Sequence, residues 1–474
     1  MAAPLYEALK KHELQNPVSF HVPGHKYGKV FPEEAAGDFR SVLRLDATEI
    51  TGLDDLHDPS GPILEAQRLA AELYQTDETF FLVNGSTSGN LAMIMACCEP
   101  GKPVLVQRNS HKSIINAIRL SGAKPVFLSP RMDEAYGVPS YVETETVKEA
   151  VKRFPEAKAL ILTNPNYYGI TADLREAVEL AHREGIPVLV DEAHGAHFVP
   201  GMPFPASSIE AGADAVVQSA HKTLPAMTMG SFLHVNGGLI DRNRLLYYLS
   251  VFQSSSPSYP IMASLDLARE YMEKLVLTKG AVEILQAVDV FKKSVEANKE
   301  VEIVTTMDKR AIIDPLKLTI RSAAGLSGFE LQRRLEEQGV YTELADIQNV
   351  LLVLPLSRNQ ADSFLFSSDK GDEGRIPLDP LLYKEENQKI SMLPLSYGEL
   401  NGYSKEVASF EDAAGLLSGE AVIPYPPGIP LLMEGEIITE EHVRQIRTLM
   451  ACKARFQGGQ ALKDEQLAVY IQKR

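Results

Sequence analysis

The stretches PVLVDEAHGAH at residues 187–197 and AVVQSAHK at 215–222 each join an apolar run to a polar tail. Each run is short and free of charge, which is typical of a strand buried on both faces of a sheet. Together with five similar runs they predict a mainly parallel seven-stranded sheet. The other runs are TFFLV at 79, PVLVQ at 103, KPVFLS at 124, ALILT at 159 and GSFLHV at 230.

Amphipathic segments separate these runs. SHKSIINAIRLSG at 110 and DLREAVELAHREG at 173 have helical periodicity, and a glycine closes the second as it closes many helices. Strands that alternate with helices predict one large α/β domain, here residues 31–295, preceded by an N-terminal arm at 1–30. In such a sheet, ligands bind beyond the carboxyl ends of the strands.

The pattern changes near residue 300. LKLTIRS at 316, GFELQRRLEEQGV at 328 and NVLLVLPL at 349 predict a smaller C-terminal α+β domain over 296–474. A polar, irregular stretch interrupts it at 367–389, and the segment AVIPYPPGIPLL at 421 is predicted to be a loop. A helix is expected from about 438, with an acidic first turn and a basic last turn.

Composition excludes several classes of protein. No apolar run is long enough to span a membrane and no secretory signal is present, so we expect a cytoplasmic protein. A net charge of −16 disfavours nucleic acid and anionic membrane as partners. The three cysteines, Cys97, Cys98 and Cys452, have neither a disulfide pattern nor metal-ligand spacing, which predicts reduced thiols and no metal.

Polar groups follow four of the predicted strands. After TFFLV comes NGSTSGN at 84, whose backbone N–H groups and the hydroxyls of Ser86 and Thr87 could bind a phosphate, although a serine helix cap explains the pattern as well. His111 follows PVLVQ and would more often be a capping or core residue. Asp191 ends a strand predicted to be buried, and a buried carboxylate requires a cationic partner.

Lys222 follows Asp191 by 31 residues, at the end of another predicted strand. Taken alone, a lysine there is usually solvated. Pyridoxal phosphate, however, requires a phosphate cradle, a flat partner on its ring face, a carboxylate at its pyridine nitrogen and a lysine that binds its aldehyde. The strand ends supply all four groups, so the sequence predicts this cofactor.

Eight motifs resemble those of the bacterial ornithine, lysine and arginine decarboxylase family of fold-type I pyridoxal-phosphate enzymes. The resemblance is to its shorter members, which lack the N-terminal wing domain, and it spans nearly the whole chain. The motifs are FHVPGHK at 20, LDDLHDPSGPI at 53, NGSTSGN at 84, RNSHKS at 108, VDEAHGAH at 190, SAHKTLPAMTMGS at 219, ELADIQNVLLVLP at 343 and YPPGIPLL at 425.

The resemblance implies a role for each matching residue. Lys222 would carry the cofactor as an imine, Asp191 would pair with the pyridine nitrogen and His111 would stack on the ring. His194 would lie near the ring and its 3-oxygen, although a satisfied core histidine is the alternative. The phosphate would be held by Ser86, Thr87, Ser219 and His221.

The family acts on amino acids with a distal cation, and Glu343 matches its distal-group acid. Asp346 and the pair Asp54 and Asp55 are weaker candidates, because turn acids at the surface explain them equally. The family forms dimers with shared active sites, so FHVPGHK and LDDLHDP are expected to complete a neighbour's site in a homodimer or higher homo-oligomer. Lys112 and His25 have no assigned role.

Two other functions remain open at the level of sequence. An aminotransferase or lyase of the same fold would need an arginine for the substrate carboxylate, but Arg358 and Arg375 lie in poor contexts. A catalytically silent pyridoxal-phosphate protein is the third hypothesis. NGSTSGN and TLPAMTMG differ from members with established arginine specificity, so lysine, arginine and ornithine are not separated.

Overall fold

The structure is a computed structural model that describes residues 2–360, 388–424, 429–452 and 454–473. The chain divides into two compact units. The first unit comprises Met1–Cys97 and Pro187–Ala281, and the second comprises Cys98–Ile186 and Val282–Arg474. The predicted domain boundaries at 30 and 295 stay a prediction.

Helices alternate with strands between about residues 78 and 252, whereas three helices precede this region and two more follow it directly. In chain order they are α1 (Pro4–Leu14), α2 (Glu33–Leu43), α3 (Pro62–Tyr74), α4 (Gly85–Cys97), α5 (Lys112–Ser121), α6 (Thr144–Arg153), α7 (Arg175–Arg183), α8 (Ala220–Thr223), α9 (Arg242–Phe252), α10 (Tyr259–Leu277), α11 (Ala281–Glu296), α12 (Gly328–Glu337), α13 (Phe410–Ala413) and α14 (Glu440–Ala451).

The strands include all seven that the apolar runs predict, namely β1, β2, β3, β6, β8, β9 and β10. In chain order the strands are β1 (Glu78–Leu82), β2 (Pro103–Gln107), β3 (Lys124–Leu128), β4 (Met132–Asp133), β5 (Val138–Pro139), β6 (Leu160–Thr163), β7 (Ile170–Thr171), β8 (Val188–Asp191), β9 (Ala215–Gln218), β10 (Ser231–Val235), β11 (Val301–Ile303), β12 (Ile312–Ile313), β13 (Lys317–Ser322), β14 (Leu344–Ala345), β15 (Val350–Val353), β16 (Ile390–Met392), β17 (Tyr403–Ser409), β18 (Leu417–Ser418), β19 (Ile423–Pro424), β20 (Phe456–Gln457) and β21 (Gln466–Gln472).

The first unit contains four sheet strands in the order β1-β10-β9-β8. β8 and β9 are parallel, whereas β10 is antiparallel to both β9 and β1. Every residue of β8, β9 and β10 is buried, as expected of strands covered on both faces. The parallel pairing brings the carboxyl ends of β8 and β9 to the same edge of the sheet.

A glycine sets the distance between helix α4 and these strands. A Cβ atom on Gly89 would lie 2.6 Å from Leu82 Cδ1 and 3.0 Å from Val217 Cγ2. Such contacts are closer than side chains tolerate, so only glycine lets α4 approach β1 and β9 this closely. The close approach holds the first turn of α4, which carries Ser86, near the strand ends.

The second unit contains sheet strands in the order β6-β2-β3-β16, and β16 is a short antiparallel strand beyond the predicted seven. β2 runs parallel to both β3 and β6. A separate antiparallel sheet has the order β11-β13-β15-β14, and α12 packs on it. The predicted change to α+β structure near residue 300 therefore occurs within this unit.

Helix α14 differs from its prediction at one end. Its first turn is acidic, with Glu440 and Glu441, but it ends at Ala451 and its last turn has no basic residue, because Arg455 lies beyond it. Much of the predicted irregular stretch at 367–389 and part of YPPGIPLL lie outside the described residues. Among the described helices, none is long and apolar enough to cross a membrane.

Candidate active site

The first unit brings Lys222 and His194 together at the carboxyl ends of β8 and β9. Asp191 is the last residue of β8 and is in register with Val217 of β9. Lys222 follows in the single-turn helix α8, and its Nζ lies 3.1 Å from His194 Nε2. The backbone N–H of Ser219 donates to the carbonyl of Ala193, at 3.2 Å, and links the two turns.

Asp191 is buried, at 4% exposure. Asn90 Nδ2 donates to its Oδ2 at 3.0 Å, and the N–H of Ala193 donates to its Oδ1 at 3.2 Å. Within the described ranges, no lysine, arginine or histidine forms an ion pair with this carboxylate. A buried carboxylate held only by neutral donors suits a cationic ligand group, such as the protonated nitrogen of a pyridine ring.

Three serine hydroxyls converge beside the first turn of α4. Ser86 Oγ lies 2.7 Å from Ser219 Oγ and donates to Ser231 Oγ at 3.2 Å. The helix begins at Gly85, whose φ of +75° favours glycine. Hydroxyls at a helix N-terminus are suited to bind a phosphate. Ser86 lies inside the first turn of α4, and its role at a phosphate stays a prediction.

Two other predicted phosphate ligands have different surroundings. Thr87 is exposed on α4. The Nδ1 of His221 lies 2.9 Å from the carbonyl oxygen of Gly230, which also accepts the backbone N–H of His221. Their roles stay predictions. The buried carboxylate, the lysine and the serine cluster nevertheless fit pyridoxal phosphate.

Sequence reasoning missed three residues of this region: Asn90, Ser231 and Glu192. Asn90 lies one helical turn after Ser86 in NGSTSGN, and that spacing could have identified it. Glu192 is fully buried although it follows Asp191 directly. Burial raises the pKa of the Glu192 carboxyl to about 7, against the opposing effect of its hydrogen bonds.

His111 and Lys112 belong to the second unit. His111 is the N-cap of α5, and its Nδ1 lies 2.8 Å from Ser113 Oγ. These contacts of His111 are those of a helix cap, and its stacking on a cofactor ring stays a prediction. Lys112 Nζ donates to Gln457 Oε1 at 2.6 Å.

Glu343 also belongs to the second unit. Its side chain is exposed and makes no hydrogen bond or ion pair with any described residue. Asp346, by contrast, accepts hydrogen bonds from Tyr168 Oη and, at 2.7 Å, from Asn349 Nδ2. Of these two acids, Glu343 alone has a carboxylate open to a ligand.

Asp54 of the first unit stabilises a turn. Its carboxylate accepts backbone N–H groups from Ser60, Gly61 and Ile63 at 2.8–3.0 Å. Burial tends to raise the pKa of Asp54, but these donors outweigh it and lower the pKa below its usual range. Asp55 accepts the N–H of His57 at 2.8 Å. The turn-acid interpretation describes both contacts, and a role in a neighbouring site stays a prediction.

Two further residues can be located. His25 Nε2 lies 3.0 Å from Asp46 Oδ2 within the N-terminal part of the first unit. Arg358 pairs with Glu283 at the surface of the second unit, and Arg375 lies outside the described residues. Arg358 therefore offers no support for an aminotransferase.

Comparison with known families resolves the family. Residues 3–313 match the model of the Orn/Lys/Arg decarboxylase major domain, and residues 381–459 match that of its C-terminal domain. The chain belongs to this family. Its members are pyridoxal-phosphate-dependent lyases, so the chain is an enzyme of the amino-acid decarboxylase class.

Two relatives match over nearly their whole length. An arginine decarboxylase of Bacillus anthracis is 35% identical over 98% of this chain and 97% of its own. A Bacillus subtilis protein called uncharacterized protein YaaO is 51% identical over 100% of this chain and 99% of its own. The lysine decarboxylase structure of Francisella novicida has a TM-score of 0.80 at 18% identity, covering 99% of this chain and 81% of that one. This likeness confirms the fold-type I architecture.

Proposed function

We propose that the chain decarboxylates a basic amino acid, namely lysine, arginine or ornithine, with pyridoxal phosphate bound at Lys222. The observation that carries the proposal is the pair of strand ends in the first unit, where Lys222 lies beside His194 and the buried Asp191 forms no ion pair with any described residue. The whole-length relative named arginine decarboxylase supports the reaction class.

Each residue has a definite task in this proposal. The cofactor, when bound, supplies a sink for the electron pair left when the carboxylate departs as CO2. Asp191 holds a proton at the pyridine nitrogen, and Asn90 orients its carboxylate. Ser86 and Ser219 donate hydrogen bonds to the phosphate, and Lys222 binds the cofactor covalently.

The remaining assignments come from the resemblance. His111 stacks on the ring, His194 contacts the 3-oxygen, Thr87 and His221 assist at the phosphate, and Glu343 accepts hydrogen bonds from the distal cation. A carboxylate that is otherwise without a partner discriminates strongly between cationic and neutral side chains. We also propose a homodimer, because Val18, Phe20 and Val22 in the N-terminal arm are 74%, 95% and 64% exposed. Its proposed location is the cytoplasm.

Product analysis tests the proposal. The purified protein with pyridoxal phosphate is incubated separately with arginine, lysine and ornithine, and amine, CO2 and keto acid are measured. Amine and CO2 in equal amounts support decarboxylation. Keto acid selects an aminotransferase, and no product with any basic amino acid selects a silent cofactor-binding protein.

A further inference from the structure

A buried chain of hydrogen bonds lies behind the candidate active site. Gln218 Nε2 donates to Glu192 Oε1 at 2.6 Å, and Ser207 Oγ donates to the same oxygen at 2.7 Å. The backbone N–H of Ser208 donates to the other carboxylate oxygen. Glu192 and Gln218 are both 0% exposed. All three donors point at Glu192, so its carboxylate is the centre of the chain.

The chain continues from Gln218 through two more strands. His234 Nε2 lies 3.1 Å from Gln218 Oε1, and His234 Nδ1 lies 2.8 Å from Thr79 Oγ1. Burial lowers the pKa of His234 to about 3, so the ring is neutral. When the neutral ring accepts a hydrogen bond from Thr79 at Nδ1, its Nε2–H donates to the amide oxygen of Gln218. The amide of Gln218 is then oriented with its N–H toward Glu192.

Glu192 and Gln218, which meet in this chain of hydrogen bonds, are neighbours in sequence of the site residues. Glu192 directly follows Asp191, and Gln218 directly precedes Ser219. The turn is also closely packed on Glu192, because a Cβ atom on Gly195 would lie 2.6 Å from Glu192 Cγ. The contact between Glu192 and Gln218 therefore ties the turn that carries His194 to the strand end that leads to Lys222.

We propose that Glu192 is a positioning residue, which sets the placement of Asp191 and His194 relative to Lys222 by binding Gln218. The inference rests on the proposed cofactor site and adds a residue that does not contact the cofactor. A misplacement of about 1 Å in reacting groups costs about a hundredfold in rate, so such a tie affects chemistry as well as folding.

The opposite ends of the same two strands offer a matched control. Asp214 is also buried, and its Oδ2 accepts the N–H of Val188 at 2.8 Å while its own N–H donates to the Val188 carbonyl at 2.9 Å. Asp214 thus ties the amino ends of β8 and β9, as Glu192 ties their carboxyl ends. We expect Asp214→Asn to weaken the fold without affecting the site.

The test compares Glu192→Gln, Gln218→Met and Asp214→Asn with the full-length wild type. The first readout is the pH midpoint of the visible absorbance change of bound pyridoxal phosphate, and the second is the cofactor Kd. We expect Glu192→Gln and Gln218→Met to move the midpoint by about 0.5 pH unit or more and to raise the Kd about tenfold. Asp214→Asn should change neither.

Hydrogen–deuterium exchange on the cofactor-free chain gives a third readout. Exchange should accelerate in peptides covering 190–195 and 217–222 for Glu192→Gln, and in those covering 186–189 and 213–216 for Asp214→Asn. Equal behaviour of the two variants in all three measurements would overturn the inference. If Glu192→Gln does not fold, Gln218→Met becomes the deciding variant. An unchanged pH midpoint and an unchanged cofactor Kd in Gln218→Met would then overturn the inference. A wild type without cofactor on Lys222 instead refutes the proposed function, and exchange then still decides whether Glu192 ties the strand ends.

Discussion

Two acidic segments of the chain differ in how their carboxylates are held. In the turn 191–195, Asp191 and Glu192 are both buried and accept hydrogen bonds from neighbouring side chains and backbone. In ELADIQN, Glu343 is exposed and has no partner among the described residues, although Asp346 has several. The carboxylates of the first segment are therefore held by hydrogen bonds before any ligand arrives, whereas that of Glu343 is exposed to solvent.

The difference separates two kinds of task. A group that must keep a proton on a cofactor requires a fixed position and a low dielectric, and burial supplies both. A group that selects a flexible substrate side chain can be ordered by that substrate when it binds. On this view, the first segment controls turnover and the second controls which substrate is accepted.

The largest effect is expected from Lys222→Ala, because Lys222 is the residue proposed to bind the cofactor covalently. Borohydride reduction of the wild type followed by peptide mapping should find the cofactor on Lys222, and the variant should fold, retain no reducible cofactor and lose activity. Lys112→Ala is the control, since Lys112 binds Gln457. Reduced cofactor on a different lysine would refute the site.

Asp191→Asn should have the next largest effect. The amide keeps the shape of the side chain but cannot hold a proton on the pyridine nitrogen, and we expect a loss of several kcal/mol in barrier height, by analogy with other preorganised charge partners. Turnover and thermal unfolding are measured together. Near-wild-type turnover with cofactor bound would make Asp191 a structural residue.

Much of this first segment could be predicted from sequence. The strands are continuous apolar runs of strand length, which identified β8 and β9, and parallel pairing then put Asp191 and Lys222 at one edge of the sheet. Beyond the strand end there is no apolar run to show which side chains are buried. The sequence therefore could not show that Glu192 turns inward, nor that Asp54, at φ +75°, caps the turn before α3.

Other misses have a similar origin. β16 consists of three residues, Ile390–Met392, and its short apolar content gives no periodic signal, so the pairing with β3 comes only from tertiary contacts. The exposure of Glu343 also depends on tertiary structure. Its side chain is exposed within its own unit, and its role at the distal cation stays a prediction.

Glu192, one of the two buried acids of the first segment, predicts an effect of pH on stability. Burial raises the pKa of Glu192 from its usual value near 4.5 to about 7, so the folded chain retains a proton that the unfolded chain has lost. Its contribution to stability is therefore complete below pH 4.5 and is lost as the pH rises through 7. The difference between the two pKa values corresponds to at most about 3 kcal/mol in the free energy of unfolding.

Chemical unfolding at pH 5, 6, 7 and 8 measures this effect. The stability of the wild type relative to Glu192→Gln should fall over that range, whereas the comparison of the wild type with Glu336→Gln, an exposed glutamate, should stay constant. A flat difference for Glu192→Gln would mean that Glu192 is ionised in the folded chain throughout the range.

The smallest effect, and the one that most sharpens the comparison, is expected from Glu343→Gln. If Glu343 binds the distal cation, the variant loses a contact made in both ground and transition states, so KM for the best basic substrate should rise while kcat changes little. The size of the rise in KM indicates whether water is excluded from the contact when the substrate binds. A contact from which substrate binding excludes water is worth about 1.5–3 kcal/mol, or tenfold and more in KM. A contact left in water is worth about 0.2–1 kcal/mol, or less than about sixfold in KM.

Glu336→Gln is the control, because it removes the same charge from the same unit and should leave KM unchanged. Citrulline and norleucine, which lack the cation, should be poor substrates for the wild type. Unchanged kinetics of Glu343→Gln with the best basic substrate would assign substrate selection to a different residue.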